Sequence, residues 1–207
     1  MAVFEIDHPL IRHKLGYLRN EKTHTPLFRQ ISGEMAALLA YEACHDLETE
    51  RTTVESWAGE VEVDRLDGEH VTLAAVLRAG LGMLEGVLGQ IPTASVSFLG
   101  MERNEETLEP HAYYEKMAPH TEGSTVLLID PMLATGGTAV ASIEFLARDK
   151  PARIKALFLI AAPEGIAKLE EAHPDVDIYT AVVDSHLNEF GYILPGLGDA
   201  GDRIFGT

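Results

Sequence analysis

Residues 130–138 bring together one carboxylate, two threonine hydroxyls and two glycines. The apolar run 126–129 before them predicts a buried strand, and the apolar spacing of 139–147 after them predicts a helix. A loop at a helix N-terminus offers free backbone N–H groups and the positive end of the helix dipole to an anion. A carboxylate there would repel bare phosphate, but it can accept hydrogen bonds from sugar hydroxyls. The segment therefore predicts a ribose-phosphate site, with Asp130 as the acceptor.

The residues of this loop exclude two other phosphate-binding loops. A P-loop requires a lysine after its second glycine, and here Gly137 is followed by Thr138. The spacing G-x-G-x-x-G of a dinucleotide-binding loop is missing as well. An ordinary turn between a strand and a helix stays open as an alternative, because glycine, threonine and aspartate are common turn residues.

A second candidate anion site follows the predicted strand 71–77. Arg78 stands beside Gly80 and Gly82 at the start of a predicted helix, and glycines let a ligand approach the backbone closely. An arginine in such a turn can donate two hydrogen bonds to a phosphate. Two anion sites in one cleft would suit a substrate phosphorylated at both ends. An arginine that only caps a helix is the alternative.

Residues 103–116 predict a mobile lid over this cleft. They are polar, they include Arg103 and Lys116, and they are too long and too polar for a tight hairpin. A lid with cations near an anion site would exclude water from a reactive sugar. A solvated surface loop is the alternative, because the same segment is rich in glutamate.

The C-terminal segment 191–203 predicts a base-binding hood. It contains four glycines and one proline, so it is neither a regular helix nor a regular strand, yet it is apolar enough to be ordered. A rigid loop of this kind can present backbone N–H and C=O groups to a small planar base such as uracil. A mobile tail is the alternative.

The elements that would position these segments alternate along the chain. Strands are predicted at 71–77, 94–101, 126–129, 155–161 and 178–183, with helices at 26–47, 81–88, 139–147 and 163–172, and an acidic irregular stretch with Trp57 after the first helix. This alternation predicts a single α/β domain over residues 1–207, built on a mostly parallel twisted sheet flanked by helices. Ligands of such sheets bind beyond the carboxyl ends of the strands. The candidates that follow predicted strands are Arg78, Arg103 and Asp130.

Composition limits the partners of the chain. A net charge of −17 repels nucleic-acid backbones and anionic membranes, so we expect neither as a partner. No apolar run approaches the length of a membrane span, and the first twenty residues lack the apolar block of a signal peptide. A single cysteine allows no intramolecular disulfide, which is typical of the cytoplasm, the expected location.

Taken together, these segments resemble the uracil phosphoribosyltransferases, a branch of the type I phosphoribosyltransferase family. The similarity runs from about His8 to the end of the chain. The turn 77–83 and the tail sequence Gly-Leu-Gly-Asp-Ala-Gly-Asp-Arg at 196–203 are its most specific parts. Type I relatives usually carry two adjacent acids at the end of the loop strand, whereas Asp130 is followed here by Pro131, the form typical of the uracil branch.

The resemblance implies transfer of the 5-phosphoribosyl group from 5-phospho-α-D-ribose 1-diphosphate to N1 of uracil, giving UMP and diphosphate. It assigns catalysis to Arg78, Arg103 and Asp130. It assigns uracil binding to Ile193, Gly198, Asp199 and Ala200. The residues that would bind the sugar diphosphate are Arg78, Arg103, Asp130, Pro131, Met132, Leu133, Ala134, Thr135, Gly136, Gly137, Thr138 and Asp199.

The resemblance also implies a cofactor and partners. Mg²⁺ would bind mainly through substrate and water, and no protein ligand set is expected. The chain would form a homo-oligomer, a dimer or a tetramer, and GTP is a candidate allosteric activator. Two alternatives stay open: an RNA-binding regulator of pyrimidine genes, which the acid excess and the tail oppose, and transfer to a purine, which only the tail opposes.

Overall fold

The computed structural model describes residues 1–66, 70–103, 110–119 and 121–207, with only the backbone at 102, 103 and 110. Its strands are β1 (Val3–Glu5), β2 (Thr49–Ser56), β3 (Gly59–Leu66), β4 (Val71–Leu77), β5 (Ser95–Arg103), β6 (Pro110–Lys116), β7 (Thr125–Ile129), β8 (Met132–Leu133), β9 (Arg153–Phe158), β10 (Ile160–Ala161), β11 (Asp177–Thr180), β12 (His186–Leu187) and β13 (Ile193–Leu194). Its α-helices are α1 (Pro9–Arg19), α2 (Thr25–Ala43), α3 (Leu81–Leu88), α4 (Gly137–Leu146), α5 (Pro163–Ala172) and α6 (Ala200–Phe205).

Seven strands form the central sheet in the order β1-β11-β9-β7-β4-β5-β6. Neighbouring strands are parallel except for β6, which is antiparallel to β5 at the edge. The predicted mostly parallel sheet flanked by helices is confirmed. Because β4 and β7 are parallel neighbours, the segments that follow them, 78–80 and 130–138, lie side by side at the carboxyl end of the sheet.

Both faces of this sheet are buried, which explains the uninterrupted apolar runs of its strands. In β7, Leu127 and Ile129 pack in a core with α1, α2 and α3, whereas Val126 and Leu128 pack in a second core with α4 and α5. Successive side chains of a strand point to opposite faces, so each strand contributes to both cores. The packed sheet therefore gives rigid support to the loops at the carboxyl end of its strands.

Helices α2 and α3 cross at unusually short range. A Cβ atom on Gly86 would lie 1.9 Å from the carbonyl oxygen of Gly33, so no side chain fits there. The helix α2 begins at Thr25, behind a His24 N-cap whose Nδ1 accepts the Leu27 N–H at 3.4 Å, and it ends at Ala43. The predicted range of 26–47 thus starts one residue late and ends four residues too late.

The stretch around Trp57 is a regular β-hairpin, so the prediction of an irregular segment is wrong. Thr49–Ser56 pairs with Gly59–Leu66 through eight opposed residue pairs, and Gly59 has a φ of +117° that suits the tight turn. Threonine and valine alternate with charged residues along both strands, which is a pattern of β-structure. Both strands are mostly exposed, and this lets the acidic side chains stay in water.

Both ends of the predicted lid segment, 103–116, are β-structure, and its role as a lid stays a prediction. Residues 98–103 of β5 pair with 110–116 of β6, with a register shift after Gly100. A Cβ atom on Gly100 would lie 2.7 Å from the ring of Tyr113, so glycine makes room for that ring. The proposed lid tip, 104–109, lies outside the described residues. Within the described ranges, no helix combines the length and the apolar character needed to span a membrane.

Candidate active site

A cavity of about 400 Å³ lies at the carboxyl ends of the parallel strands, where the sequence placed the site. We call it the main cavity. It brings together residues far apart in the chain: its lining includes Arg78, Ala79, Met101, Asp130, Met132, Ala134, Thr138, Gly191, Tyr192, Ile193, Gly198, Asp199, Ala200 and Gly201. The candidate anion turn, the candidate ribose-phosphate loop and the C-terminal segment therefore share one cleft.

The β7–α4 loop (residues 130–138) forms a second, smaller cavity beside the first. This small cavity measures about 130 Å³ and shares part of its wall with the main cavity, and its lining includes Asp130, Met132, Leu133, Ala134, Thr135, Gly136, Thr138 and Gly191. Within this loop, Gly136 has a φ of +78° and is the N-cap of α4. The first N–H groups of α4 have no intrahelical acceptor, so an anion in this cavity can receive their hydrogen bonds.

Close packing behind the loop holds its backbone in place. A Cβ atom on Gly165 of α5 would lie 2.4 Å from the carbonyl oxygen of Ala134. Pro131 is buried, and its carbonyl accepts the N–H groups of Leu159 and Ile160 at 3.0 and 3.2 Å. Neither Pro131 nor Gly137 lines the main cavity or the small cavity, so Pro131 supports the loop from behind.

Asp130 is the group with the most perturbed acidity at this site. Burial raises the pKa of its carboxyl from the ordinary value of 3.8 to about 7, and the N–H of Met132, which donates to Oδ1 at 3.4 Å, partly opposes the rise. A carboxyl with a pKa near 7 exchanges protons at neutral pH. Asp130 can therefore change between an acceptor and a donor of hydrogen bonds in the working range of the protein.

The raised pKa predicts a pH-dependent stability. The folded protein binds a proton at Asp130 more tightly than the unfolded chain, so the stability from the protonated form is fully present below pH 3.8 and is lost as the pH rises through about 7. The variant Asp130→Asn cannot ionise. We expect its free energy of unfolding in urea to exceed that of wild type by ~1–3 kcal/mol at pH 8, with the difference shrinking toward pH 4.

The exposed Asp175 provides the control for this measurement, because Asp175→Asn removes a carboxylate that water already solvates. We expect that variant to follow the wild-type pH dependence. If Asp130→Asn and wild type kept the same difference in unfolding free energy from pH 4 to pH 8, the pKa of Asp130 would not be raised in the folded protein.

Arg78 lies at the start of the turn after β4, with an exposed side chain. Its closest charged contact among the described residues is Asp202 of α6, with 3.9 Å between Nη2 and Oδ1. That distance leaves the guanidinium available to an anion in the cavity. A Cβ atom on Gly80 would lie 2.4 Å from the carbonyl oxygen of Ile129, so glycine is required where the turn packs against the end of β7. Arg103 is the last residue of β5, so its backbone lies at the same carboxyl end of the sheet. The structure describes only the backbone of this residue.

The tail loop (residues 191–199) covers the other side of the main cavity. Ile193 and Ala200 are buried, and Gly198 has a φ of +73°. Asp199 caps α6, where its Oδ1 accepts the N–H of Asp202 at 2.9 Å. The loop thus turns sharply into a short helix, whose first residues Ala200 and Gly201 line the main cavity.

Arg203 ties this segment to the rest of the protein, which argues against the mobile-tail alternative. Its guanidinium donates to the carbonyls of Leu197 and Asn20 at 2.7 Å each, donates also to that of Leu18, and stacks 4.1 Å from the ring centroid of Phe28. The tail loop is therefore anchored on α1 and α2.

Several lining residues were not predicted from the sequence. Ala79 lies within the turn that Arg78 begins, and Gly191, Tyr192 and Gly201 lie within the segment predicted as a hood. Met101 comes from β5, whose carboxyl end is adjacent to that of β4. A search for all residues at the carboxyl ends of adjacent strands would have found Met101.

Comparison with known proteins shows the family to which this chain belongs. The family model described as uracil phosphoribosyltransferase matches residues 5–207. The structure of the AQ2163 protein from Aquifex aeolicus is 42% identical, covers 99% of this chain and 98% of its own, and has a TM-score of 0.95. A hypoxanthine-guanine phosphoribosyltransferase from Bacillus anthracis is 16% identical over 77% of this chain and 80% of its own, with a TM-score of 0.51. That of L. donovani is 16% identical over 77% and 84%, with a TM-score of 0.52.

The two purine enzymes share only the fold with this protein, at their level of identity. The family model, by contrast, spans nearly the whole chain, including the tail loop and α6. This protein is a phosphoribosyltransferase, and it belongs to the uracil phosphoribosyltransferase family.

Proposed function

We propose that this phosphoribosyltransferase transfers the 5-phosphoribosyl group from 5-phospho-α-D-ribose 1-diphosphate to N1 of uracil, releasing diphosphate and UMP. One observation carries the proposal: the β7–α4 loop, the Arg78 turn and the tail loop all line the main cavity. A single cleft with an anion-binding loop on one side and an apolar, glycine-rich loop on the other suits a reaction between a sugar phosphate and a base.

The β7–α4 loop is the proposed site of the ribose 5-phosphate. The N–H groups at the start of α4, the left-handed Gly136 and the hydroxyl of Thr138 surround a volume suited to a phosphate. Asp130 lies where ribose hydroxyls would follow the phosphate into the main cavity. In its ionised form the Asp130 carboxylate accepts those hydroxyls, and it can do so through hydrogen bonds of the stronger, charge-assisted kind.

The tail loop is the proposed site of uracil. Uracil presents alternating carbonyl acceptors and an N–H donor along one edge, and backbone groups can match that order. At the start of α6, the N–H groups of Ala200 and Gly201 have no intrahelical acceptor by position, so they are candidates to donate to a uracil carbonyl. Ile193 is buried and lines the same cavity, and it offers an apolar surface to the ring.

The reaction breaks the bond between the anomeric carbon and the diphosphate oxygen and forms a bond from that carbon to N1 of uracil, with loss of the N1 proton. Negative charge grows on the departing diphosphate, and Arg78, which lines the main cavity, is proposed to stabilise it. Arg103 is proposed for the same role. We propose that the tail loop and the β7–α4 loop bring N1 and the anomeric carbon together, which would remove much of the entropic barrier.

The donor groups of the cleft fit magnesium. Asp130 and Asp199 both line the main cavity, and among the described residues no three His, Cys, Asp or Glu side chains form a closed metal cage. Mg²⁺ commonly binds through one or two carboxylates together with substrate phosphates and waters. Bound with the diphosphate, Mg²⁺ would neutralise part of the charge of the leaving group. Asp130 and Asp199 are the residues that would hold it, directly or through water.

Further properties are proposed from the family resemblance. A cytoplasmic homo-oligomer is proposed, and the β2–β3 hairpin supports assembly because Trp57 is 99% exposed at its tip, with Val54 and Val61 exposed beside it. Activation by GTP rests on the resemblance alone. The net charge of −17 favours small-molecule substrates over nucleic acid or a membrane as partners.

The function is tested by product analysis in a mixture of purified protein, uracil, 5-phospho-α-D-ribose 1-diphosphate and Mg²⁺. We expect UMP and diphosphate in equal amounts, and no product when Mg²⁺ is chelated or when the sugar diphosphate is omitted. Release of ribose 5-phosphate and diphosphate without UMP would contradict transfer to uracil.

A further inference from the structure

We propose that Asp184, held by Arg19, is a positioning residue that fixes the tail loop relative to the β7–α4 loop. This inference rests on the proposed function, because it assigns to Asp184 the task of placing the base opposite the sugar. Asp184 lines neither cavity, and it therefore acts through the tail loop and not on the substrate.

Asp184 is a nearly buried carboxylate with three hydrogen-bond donors. Its Oδ2 accepts the backbone N–H of Gly196 at 2.9 Å. Arg19 donates to both oxygens, at 2.5 Å to Oδ1 and 3.1 Å to Oδ2. The side chain of Asp184 is only 3% exposed and that of Arg19 is 26% exposed, so water competes little for these bonds.

Arg19 also contacts the tail loop directly. Its Nη1 donates to the carbonyl oxygen of Gly196 at 3.2 Å. The N–H and the C=O of Gly196 are thus both held by the same ion pair. A loop whose backbone is held at both polar groups of one residue cannot shift at that residue without breaking charge-assisted hydrogen bonds.

Gly196 is the tightest point of the tail loop. Its φ is +65°, and a Cβ atom there would lie 2.0 Å from the carbonyl oxygen of Ile193. Ile193 and Gly198, on either side of it, both line the main cavity. A displacement of Gly196 would therefore move both sides of the proposed uracil site.

Asp184 is connected to the β7–α4 loop as well. Its backbone N–H donates to the carbonyl of Ala161 at 2.8 Å. Ala161 belongs to β10, which pairs with β8 inside the β7–α4 loop, where Leu133 is its partner. The next residue, Ala162, donates its N–H to the Leu133 carbonyl at 2.8 Å, so hydrogen bonds on both sides of Asp184 connect the proposed phosphate site to the proposed base site. This series fixes the separation that the transfer of a sugar to N1 depends on.

The variant Asp184→Asn tests the role of the carboxylate. An amide keeps the shape, but its NH₂ group cannot accept from Gly196 or from Arg19, so at least one of the three donors loses its acceptor. We expect the KM for uracil to rise ~10-fold or more, because hydrogen bonds to charged groups are being removed, while the KM for 5-phospho-α-D-ribose 1-diphosphate stays near wild type. The ratio of kcat/KM for uracil to that for cytosine should fall.

The second variant is Arg19→Lys, which keeps the charge but has one nitrogen in place of a fork of donors. It cannot hold Asp184 and the Gly196 carbonyl together in the same way, and we expect a smaller rise in the KM for uracil with the same unchanged KM for the sugar diphosphate. The matched control is Asp7→Asn, which removes the exposed ion pair with Arg12. We expect wild-type kinetics from that control.

A purely structural role would give a different result. Destabilisation alone would lower the melting temperature and reduce the active fraction, without changing the ratio of the two KM values or the preference between bases. That outcome, or wild-type kinetics in both variants, would overturn the inference. Calorimetric binding of the sugar diphosphate to Asp184→Asn checks that the β7–α4 loop is intact. If wild type used a base other than uracil, the function proposal would fail, and the same KM ratio measured with that base would still test Asp184.

Discussion

Replacement of Arg78 by alanine is expected to lower kcat by a factor on the order of 10² or more, with a smaller effect on the binding of either substrate. The guanidinium lies at the main cavity with no charged group closer than 3.9 Å among the described residues, so it is available to the diphosphate. Charge on the diphosphate increases as its bond to the sugar breaks. The lost interaction is therefore stronger in the transition state than in the ground state.

The measurement is steady-state kinetics with both substrates varied. Arg12→Ala is a matched control, because the side chain of Arg12 is 60% exposed, as is that of Arg78, and also lies next to an aspartate. We expect Arg12→Ala to behave as wild type. An Arg78→Ala enzyme with a raised KM for the sugar diphosphate but an unchanged kcat would mean that Arg78 binds only the ground state.

Gly198→Pro is expected to remove nearly all transfer to uracil, with a loss of ~10² or more in kcat/KM for the base, the cost of a small misplacement in a catalytic site. The φ of Gly198 is +73°, whereas proline fixes φ near −65° and has no N–H. The tail loop cannot keep its course through this residue. Binding of 5-phospho-α-D-ribose 1-diphosphate, which we assign to the β7–α4 loop, should survive in calorimetry.

Gly123→Pro separates the local effect from general strain. Gly123 has a φ of +74°, and its N–H donates to the carbonyl of Lys150, so proline costs the same two features there. Gly123 precedes β7, so it lies at the amino end of the strands, whereas the main cavity lies at their carboxyl ends. We expect Gly123→Pro to lose stability but to keep its KM for uracil when folded. Equal kinetic losses in the two variants would show that the tail loop has no special part in binding the base.

The sequence was sufficient for the parts of the site that are local in the chain. The β7–α4 loop lies between a strand and a helix that are consecutive in the chain, and Asp130 and Gly136 could be located in it from residue types alone. The Arg78 turn has the same construction. Parallel strands have their carboxyl ends at the same end of the sheet. The alternation of strands and helices therefore predicted that these segments would lie close together.

The sequence was insufficient where charge concealed periodicity or where partners are distant. The β2–β3 hairpin was missed because its acidic residues suggested an irregular segment, although threonine and valine alternate with them. Arg19 and Asp184 are 165 residues apart, and no motif connects them. The pKa of Asp130 depends on burial that only the folded chain provides.

The most direct test of the account compares kcat/KM for uracil, cytosine, hypoxanthine and guanine, with saturating 5-phospho-α-D-ribose 1-diphosphate and Mg²⁺. Cytosine carries an amino group and an unprotonated N3 in place of a carbonyl and an N–H, which would leave backbone groups of the tail loop unpaired. Sites built on such pairing discriminate by about 10⁴, and we expect uracil to be preferred over cytosine by that order. The purines should give no measurable product. Turnover of hypoxanthine or guanine at the rate of uracil would contradict the assignment of the tail loop as a uracil site.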